Sequence, residues 1–228
     1  MSGNGGLRVR DLAVQFAGQD KPLFTIDALD LASGSSLGIS GLSGAGKTTL
    51  FHCLAGIAQP TAGQIVWGGM DISTLSIADL GRWRHSNLGL VFQDFHLVDG
   101  LSMLDNVLLP AQFDRWKPAP ALRQRARDLL GAVGLTAWER MTALLSRGER
   151  QRVALARAML LQPAIVMADE PTASLDPEHR MQIGELLVDL VRSQGATLIV
   201  ITHEPELLLR MDQRLHLEHG ELRQRVAA

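Results

Sequence analysis

The sequence GLSGAGKT at positions 41–48 constrains this chain more than any other feature, because it fits the phosphate-binding loop pattern G-x-x-x-x-G-K-[ST]. Glycines allow a tight turn whose backbone N–H groups point at an anion, and the following helix adds the positive end of its dipole. A short apolar segment precedes the loop, and a helical pattern ended by Gly56 follows it, as the motif requires. The alternative is a glycine-rich turn that binds nothing.

Lys47 is expected to reach the β- and γ-phosphates of a bound phosphate chain, and the Thr48 hydroxyl is expected to hold Mg²⁺. The rest of the loop is expected to contact the phosphates mainly through its backbone. The predicted phosphate-contacting residues are Gly41, Leu42, Ser43, Gly44, Ala45, Gly46, Lys47, Thr48 and Thr49.

Composition places the chain among ordinary globular proteins. It has 228 residues, of which 46% are hydrophobic and 20% charged, and its formal net charge is -2. These values suit one domain with a sizeable core and do not favour nucleic acid as the main partner. The single Cys53 excludes an internal disulfide. We expect no signal peptide and no membrane span of roughly 18 apolar residues, so any work at a membrane requires a partner.

Apolar runs of strand length alternate with helical patterns along most of the chain. This alternation predicts an α/β fold with a mostly parallel sheet covered on both faces. Helical patterns dominate residues 94–146, where helices are predicted at 104–113 and 121–133. We interpret 94–146 as a helical subdomain inserted into a core formed by 1–93 and 147–228, the whole chain being a single domain.

Two carboxylates, Asp169 and Glu170, follow the four apolar residues 165–168. Ligands bind at the carboxyl ends of the strands in an open parallel sheet. Asp169 is therefore expected to reach the Mg²⁺ shell through water, and Glu170 to accept a proton from a water that attacks the γ-phosphate. Such a pair is by itself more often a turn or a helix cap, but its combination with the phosphate loop favours catalysis.

Gln93 and His203 each follow an apolar strand. Parallel strands end at the same edge of a sheet, which is the edge that carries the phosphate loop. A glutamine there can ligate Mg²⁺ and orient water, and a histidine can donate a hydrogen bond to the γ-phosphate. Taken alone, either residue is more often structural or simply exposed.

With these residues considered together, the chain resembles the ABC-type ATPases. The segments LSRGERQR at 145–152, ADEPT at 168–172 and SLD at 174–176, together with His203, are similar to the signature, Walker B motif, D-loop and switch histidine of that family. Their order and spacing match the family along nearly the whole chain.

The finer resemblance is to the lipoprotein- and macrolide-exporter branch, which includes the cell-division ATPase. It is carried by FQDFHL at 92–97 and by DNV at 105–107 with Pro110. The resemblance implies a P-loop NTPase core of the RecA-like type, with an antiparallel β subdomain beside the inserted helical subdomain. It also implies an ATPase that couples hydrolysis to transport and uses ATP and Mg²⁺.

The resemblance further implies a head-to-tail homodimer with two ATP molecules between the subunits. Ser146 and the Gly148 backbone of one subunit would meet the γ-phosphate held by the other, as a second helix N-terminus presented to an anion. Asp176 would contact the partner, and Gln93 would couple the nucleotide to integral membrane permease subunits. These partners imply a position at the cytoplasmic face of the inner (plasma) membrane, bound through the membrane subunits.

The predicted site residues have three roles. The residues assigned to catalysis are Glu170, His203, Gln93 and Lys47. The residues assigned to Mg²⁺ are Thr48, Gln93 and Asp169. The residues assigned to nucleotide contact are the phosphate-loop residues named above, with Phe16, Ser146 and Gly148.

Two positions depart from the family pattern. Arg147 stands where glycine usually follows the signature serine, and its side chain either points away from the nucleotide or brings a cation towards the trans phosphate and crowds it. The family usually stacks adenine on a tyrosine near the end of the first strand, but this chain has no tyrosine. Phe16 stands at the matching place, either as an aromatic stacking face or as a plain core residue.

Three functions fit these features to different degrees. An ATP-hydrolysing subunit of an ABC transporter or mechanotransmission complex accounts for all the catalytic residues. An ATP-binding regulatory or scaffold protein with little turnover is favoured only by Arg147. A soluble ABC ATPase acting on DNA or ribosomes is disfavoured by the single domain, the short helical insert and the lack of a basic patch.

Overall fold

The computed structural model describes residues 5–113, 118–173 and 175–224, so Ser174 of the D-loop-like motif lies outside the described residues. Strands and helices are numbered in chain order. The strands are β1 (Leu7–Val14), β2 (Phe24–Leu31), β3 (Ser36–Gly41), β4 (Ala62–Trp67), β5 (Met70–Asp71), β6 (Leu88–Val91), β7 (Ile165–Asp169), β8 (Thr197–Ile201), β9 (Gln213–Glu218) and β10 (Glu221–Gln224). The α-helices are α1 (Lys47–Leu54), α2 (Ile77–Asn87), α3 (Met103–Gln112), α4 (Pro120–Ala132), α5 (Arg147–Met159), α6 (Pro177–Ser193) and α7 (Pro205–Leu209).

The larger of the two sheets has the strand order β10-β9-β3-β8-β7-β6. Neighbouring strands from β9 to β6 run parallel, and β10 pairs with β9 in the antiparallel direction at the edge. The order places β3, which leads into the phosphate loop, beside β8, and β8 beside β7. The carboxyl ends of these central strands therefore lie next to one another at one edge of the sheet.

Side chains of the central strands alternate between two hydrophobic cores. In β7, Val166 and Ala168 join the core that contains α3 to α6, whereas Ile165 and Met167 join the core that contains α1 and the second sheet. The residues of β8 divide in the same way. This explains why the sequences of both strands are continuously apolar, and it confirms the predicted parallel sheet with both faces covered.

The second sheet is antiparallel, with the strand order β2-β1-β4-β5. It packs its buried side chains, Val9 and Ile26 among them, against α1 in the same core. β1 ends at Val14, so Phe16 lies beyond the strand, and its side chain is 49% exposed. The interpretation of Phe16 as a plain core residue is therefore wrong.

The helices α3 and α4 lie within the predicted helical subdomain, and each matches its predicted range to within one residue. Buried Leu104 and Val107 of α3 share a core with Val153 of α5, so the inserted helices are held against the main body by apolar packing. Asn106 holds the preceding loop, because its Oδ1 accepts from the Val98 N–H at 2.8 Å and its Nδ2 donates to the Val98 carbonyl at 3.0 Å. The limits of the helical subdomain, residues 94 and 146, remain a prediction.

Two strands were not expected from the sequence. The pattern predicts a last strand at 214–218, but the chain turns at Gly220 and adds β10. β5 contains only two residues, too few for any alternation of apolar and polar residues to be visible. In the described part of the chain, no helix is long and apolar enough to cross a membrane.

Candidate functional site

Glycines make possible the tight connection between β3 and α1. An added Cβ at Gly41 would lie 2.4 Å from the Leu217 carbonyl oxygen, so a larger residue would displace β9. Gly44 and Gly46 have φ angles of +77° and +96°, a left-handed conformation that side chains disfavour. Gly46 precedes α1 and makes no side-chain cap, which leaves the first N–H groups of α1 available to an anion.

Lys47 is the first residue of α1, and its side chain folds back over the loop. Its Nζ donates to the carbonyl oxygens of Gly41 at 2.8 Å and Leu42 at 2.9 Å. Burial lowers the pKa of Lys47, while the charges of Glu170 and Asp169 oppose that shift. The ammonium group thus lies between the loop and the two carboxylates, where it can exchange loop carbonyls for phosphate oxygens.

Asp169 ends β7 next to the start of α1. Burial raises the pKa of the Asp169 carboxyl, and the neighbouring Thr48 side chain is the largest opposing influence on that pKa. Thr48 and Asp169 line the same pocket. A hydroxyl and a half-buried carboxylate, together with the Gln93 amide oxygen, are the hard oxygen donors that Mg²⁺ prefers.

Glu170 adopts a φ of +46° directly after β7, and its N–H donates to the Ile201 carbonyl at 2.9 Å. Its Oε1 lies 3.2 Å from Nε2 of His203. Burial raises the pKa of Glu170, with Lys47 as the largest opposing charge. Burial and then the Lys47 charge lower the pKa of His203, which favours its neutral imidazole at pH 7.

One pocket of about 410 Å³ contains these groups at the edge where the parallel strands end. Gln93 enters it from the end of β6, and His203 from the end of β8. The lining residues are Phe16, Leu23, Ser43, Gly44, Gly46, Lys47, Thr48, Thr49, Gln93, Asp169, Glu170 and His203. Among the predicted loop residues, Gly41, Leu42 and Ala45 support the turn from outside the lining.

Leu23 is the lining residue that sequence reasoning missed. It precedes β2, and its side chain lies 3.0 Å from the position that a Cβ on Gly46 would occupy. The hairpin between β1 and β2 brings Leu23 and Phe16 to the same wall of the pocket. No sequence pattern indicates this proximity, because it arises from the pairing of the two strands.

The family model for ABC transporters matches residues 25–173, more than half of the chain. The chain belongs to the ABC transporter family. Two relatives of this ABC protein are both named lipoprotein-releasing system ATP-binding protein LolD. The one from Syntrophus aciditrophicus (strain SB) is 40% identical over 221 residues, which cover 95% of this chain and 98% of the relative. The one from Bordetella avium (strain 197N) is 43% identical over 196 residues, covering 86% and 85%.

Solved structures of ABC proteins share the fold. A dimeric structure of the ATP-binding cassette MJ0796 in a post-hydrolysis state, bound to ADP and Pi, has a TM-score of 0.83 and 28% identity, and covers 96% of this chain and 97% of that one. The structure of cbiO1 from Clostridium perfringens, part of the ABC transporter complex cbiONQ, has a TM-score of 0.84 and 29% identity. The match covers 95% of this chain and 86% of cbiO1.

These similarities confirm the P-loop NTPase fold with its antiparallel sheet and inserted helices, and they confirm the predicted class. The chain is an ATP-binding subunit of the ABC type and an ATPase by family. The regulatory alternative with little turnover receives no support from them.

The ABC signature residues lie outside the pocket of their own chain. Ser146 caps α5, accepting from the Glu149 N–H at 3.3 Å while Glu149 accepts from the Ser146 N–H at 2.8 Å. Ser146 and Arg147 are exposed, and Gly148 is packed beneath His179, whose Cδ2 would be 3.6 Å from an added Cβ. A single chain does not bring the signature to the phosphate loop.

Proposed function

We propose that this chain closes as a head-to-tail homodimer on two ATP molecules, hydrolyses them, and thereby drives separate membrane permease subunits. The observation that carries the proposal is the pocket itself. It unites the loop, Lys47, both carboxylates, Gln93 and His203, yet it lacks the signature residues. Two chains related head to tail supply each other with Ser146 and Gly148 and complete both sites.

Binding of ATP uses the groups that the free loop leaves available. The N–H groups at the start of α1 and the Lys47 ammonium bind the β- and γ-phosphates. Thr48, Gln93 and Asp169 would hold Mg²⁺, which would neutralise phosphate charge. Phe16 and Leu23 offer an apolar wall to the base, and the exposed ring of Phe16 supports a stacking role.

Hydrolysis depends mainly on positioning and on one proton acceptor. Glu170 accepts a proton from the attacking water, and its raised pKa brings it closer to the pH at which such a base works best. The neutral His203, 3.2 Å away, donates a hydrogen bond that orients the carboxylate or, with ATP bound, the γ-phosphate. Dimer closure excludes other water from this space.

The partner's signature acts as a helix N-terminus presented to the γ-phosphate. α5 contains 13 residues, so its first turn carries the full positive end of a helix dipole. Arg147 is the first residue of this helix and adds a cation on the same exposed surface. Asp176 caps α6 through the His179 N–H at 3.2 Å, which fixes the end of the segment that contacts the other subunit.

A second surface suits the membrane subunits. A groove of about 1000 Å³ runs between α2, β6 and the ends of α3 and α5, and Phe113 beside it is 86% exposed. Its lining includes arginines and histidines but no Asp or Glu among the described residues. These basic residues are Arg82, Arg84, His85, His96 and Arg157. An amphipathic permease helix with an apolar face and a carboxylate fits this surface.

The groove is connected to the nucleotide pocket through the segment after Gln93. Arg157 of the groove donates to the carbonyl oxygens of Phe95 and His96, each at 2.6 Å. Movement of Gln93 on binding ATP therefore displaces the backbone that Arg157 holds. We propose that the protein works at the cytoplasmic face of the membrane, bound through its permease subunits. The names of the two LolD relatives support lipoprotein release as the work of the complete transporter.

The proposal is tested by steady-state ATPase activity and by size measurements of the purified chain. We expect the wild type to hydrolyse ATP, and Glu170→Gln to lower kcat by about 10²–10⁴-fold and to accumulate as an ATP-bound dimer. The matched control is Glu139→Gln, which replaces an exposed glutamate in a loop and should behave as wild type. A wild type that binds ATP without turnover, or an undiminished Glu170→Gln, would contradict the proposal.

Docking is tested separately with the permease co-expressed. Phe113→Glu should abolish co-purification with the membrane subunits while leaving the ATPase activity of the isolated chain intact. Leu209→Glu is the control, because Leu209 is 67% exposed but lies on α7, away from the groove. Equal loss of binding in both variants would argue against the groove as the docking site.

A further inference from the structure

Arg180, in the first turn of α6, holds two segments of the site at once. Its Nε donates to the Leu175 carbonyl at 2.7 Å, and its Nη1 donates to Oε1 of Glu204 at 2.9 Å. The two acceptors are 29 positions apart in the chain, and one belongs to the segment that follows Glu170 and the other to the residue that follows His203. The planar guanidinium suits this task because its donors are fixed relative to one another.

The first acceptor belongs to the turn that connects Glu170 to the dimer surface. The turn is closed by hydrogen bonds from Ala173 N–H to the Glu170 carbonyl at 3.2 Å and from Leu175 N–H to the Thr172 carbonyl at 3.1 Å. It ends at Asp176, the residue expected to contact the other subunit. The Arg180 contact is therefore made at the last carbonyl before the interface residue.

The second acceptor belongs to the residue that follows His203. The Glu204 N–H donates to Oγ1 of the fully buried Thr202 at 3.0 Å, and the Glu204 carboxylate is held by Arg180. His203 thus lies between two anchored neighbours, although its own ring is 54% exposed. These two contacts fix the backbone on either side of His203, whose Nε2 lies 3.2 Å from Oε1 of Glu170.

We propose that Arg180 is a positioning residue that couples the interface segment ending at Asp176 to His203, so that dimer closure sets the geometry of the His203–Glu170 pair. The inference deepens the proposed function and rests on it. Arg180 does not contact the nucleotide. Its effect is on the orientation of His203 at the moment of hydrolysis, where a small displacement has a large effect on rate.

A second ion pair provides a matched control. Arg210 directly follows α7 and forms an ion pair with Glu185 of α6. Like the Arg180–Glu204 pair, this ion pair connects α6 to an end of α7. The pair contacts neither the Leu175 carbonyl nor Glu204. Both arginines are similarly exposed, at 36% for Arg180 and 41% for Arg210, so their loss should affect global stability to a similar extent.

The test compares Arg180→Met, Arg180→Lys and Arg210→Met in the full chain. Arg180→Met should lower kcat about fivefold or more with KM for ATP within about twofold, because binding groups are untouched. Arg180→Lys keeps the charge but not the fork, so it should recover part of kcat. Arg210→Met should stay within about twofold of wild type in both parameters.

Amide hydrogen exchange gives a readout that does not depend on turnover. Arg180→Met should increase exchange in peptides covering both 172–176 and 202–204, and Arg210→Met should not. Equal kcat and equal exchange in the two methionine variants would overturn the inference. A wild type without ATPase activity would instead refute the proposed function, and the exchange result would still decide whether Arg180 couples the two segments.

Discussion

The phosphate loop and the signature both present the N-terminus of a helix, but the two ends are stabilised in different ways. α1 begins after Gly46 without a side-chain cap, and Lys47 turns back onto loop carbonyls. α5 begins at Ser146 with a complete capping box. The N–H groups at the start of α1 are therefore available to an anion bound in the pocket of the same chain. The groups at the start of α5 are already hydrogen-bonded, so this helix end can remain exposed until another subunit binds.

This difference explains how the monomer is stable with half of each site at its surface. An uncapped α5 would carry unsatisfied N–H groups, and capping by Ser146 and Glu149 removes that penalty. The γ-phosphate bound by the other subunit must then compete with the Glu149 carboxylate for the Ser146 N–H. Alternatively, it can interact with the dipole of α5 and with the Gly148 N–H. Variants that affect one helix end and not the other separate these contributions.

The largest expected effect comes from blocking the signature. Ser146→Arg places a bulky side chain at the surface that meets the partner's nucleotide, so kcat should fall on the order of 10²-fold. ATP binding by the monomer should not change, because Ser146 is outside the pocket of its own chain. Steady-state ATPase assays and equilibrium binding of a fluorescent ATP analogue measure the two quantities.

The control for this variant is Ser76→Arg. Ser76 also caps a helix, α2, through its side chain, which accepts from the Asp79 N–H at 3.2 Å. Ser76→Arg should lower the free energy of unfolding by about 1 kcal/mol, as the loss of the cap should in Ser146→Arg, but it should keep its ATPase activity. If Ser76→Arg inactivates the protein as strongly as Ser146→Arg, lost capping rather than a blocked interface is responsible.

A smaller effect, on stability, should distinguish glycines of the loop. Gly41→Ala would bring a Cβ to 2.4 Å from the Leu217 carbonyl and should destabilise the fold by about 2–3 kcal/mol. Gly44→Ala meets no atom within 4 Å and pays only for its φ of +77°, about 1 kcal/mol. Urea unfolding measures both. If both variants lose the same free energy of unfolding, glycine is needed at position 41 for its backbone conformation and not because a side chain would collide with β9.

Glu170 provides a prediction about pH. Burial raises its pKa, so the folded state binds this proton more tightly than the unfolded state, and ionised Glu170 lowers stability. That penalty is absent below the ordinary glutamate pKa of about 4.3 and grows as pH rises through the raised folded value. Glu170→Gln should therefore have a higher Tm than wild type at pH 7, and the gain should shrink towards pH 4. A gain that does not change with pH would contradict this origin.

The smallest effect is expected at Arg147. Arg147→Gln removes a cation from the exposed start of α5, which should weaken ATP-dependent dimerisation about two- to fivefold and reduce its dependence on salt. Arg123→Gln, on the exposed face of α4, is the control for a general change in charge. Sedimentation at two salt concentrations measures the effect. Tighter dimerisation by Arg147→Gln would indicate that the side chain crowds the trans phosphate.

The sequence predicts well those parts of the molecule that are determined by local patterns. Pro177 marks the start of α6, and the strand predicted at 197–201, which is apolar from Leu198 onwards, is β8. The pocket residues Gln93, Asp169, Glu170 and His203 could be assembled because each lies at the end of a strand or within two residues of it, and parallel strands end together.

Contacts between distant segments could not be read from any pattern. Leu23 reaches the pocket through hairpin pairing, and Arg180 finds Glu204 only because α6 and β8 pack side by side. The groove that includes Phe113 draws on several helices and a strand, each ordinary by itself. Short β10 was missed because its residues are largely exposed and show no apolar alternation.

The central claim is that each ATP site is shared between two chains, and mixing two inactive variants tests it most directly. Glu170→Gln and Ser146→Arg should each be inactive alone. In a mixed dimer, the intact pocket of the Ser146→Arg chain faces the intact signature of the Glu170→Gln chain, so ATPase activity should reappear on mixing. Glu170→Gln mixed with Lys47→Ala should remain inactive, since both pockets are then defective. No recovery in the first mixture, or equal recovery in both, would contradict a shared site.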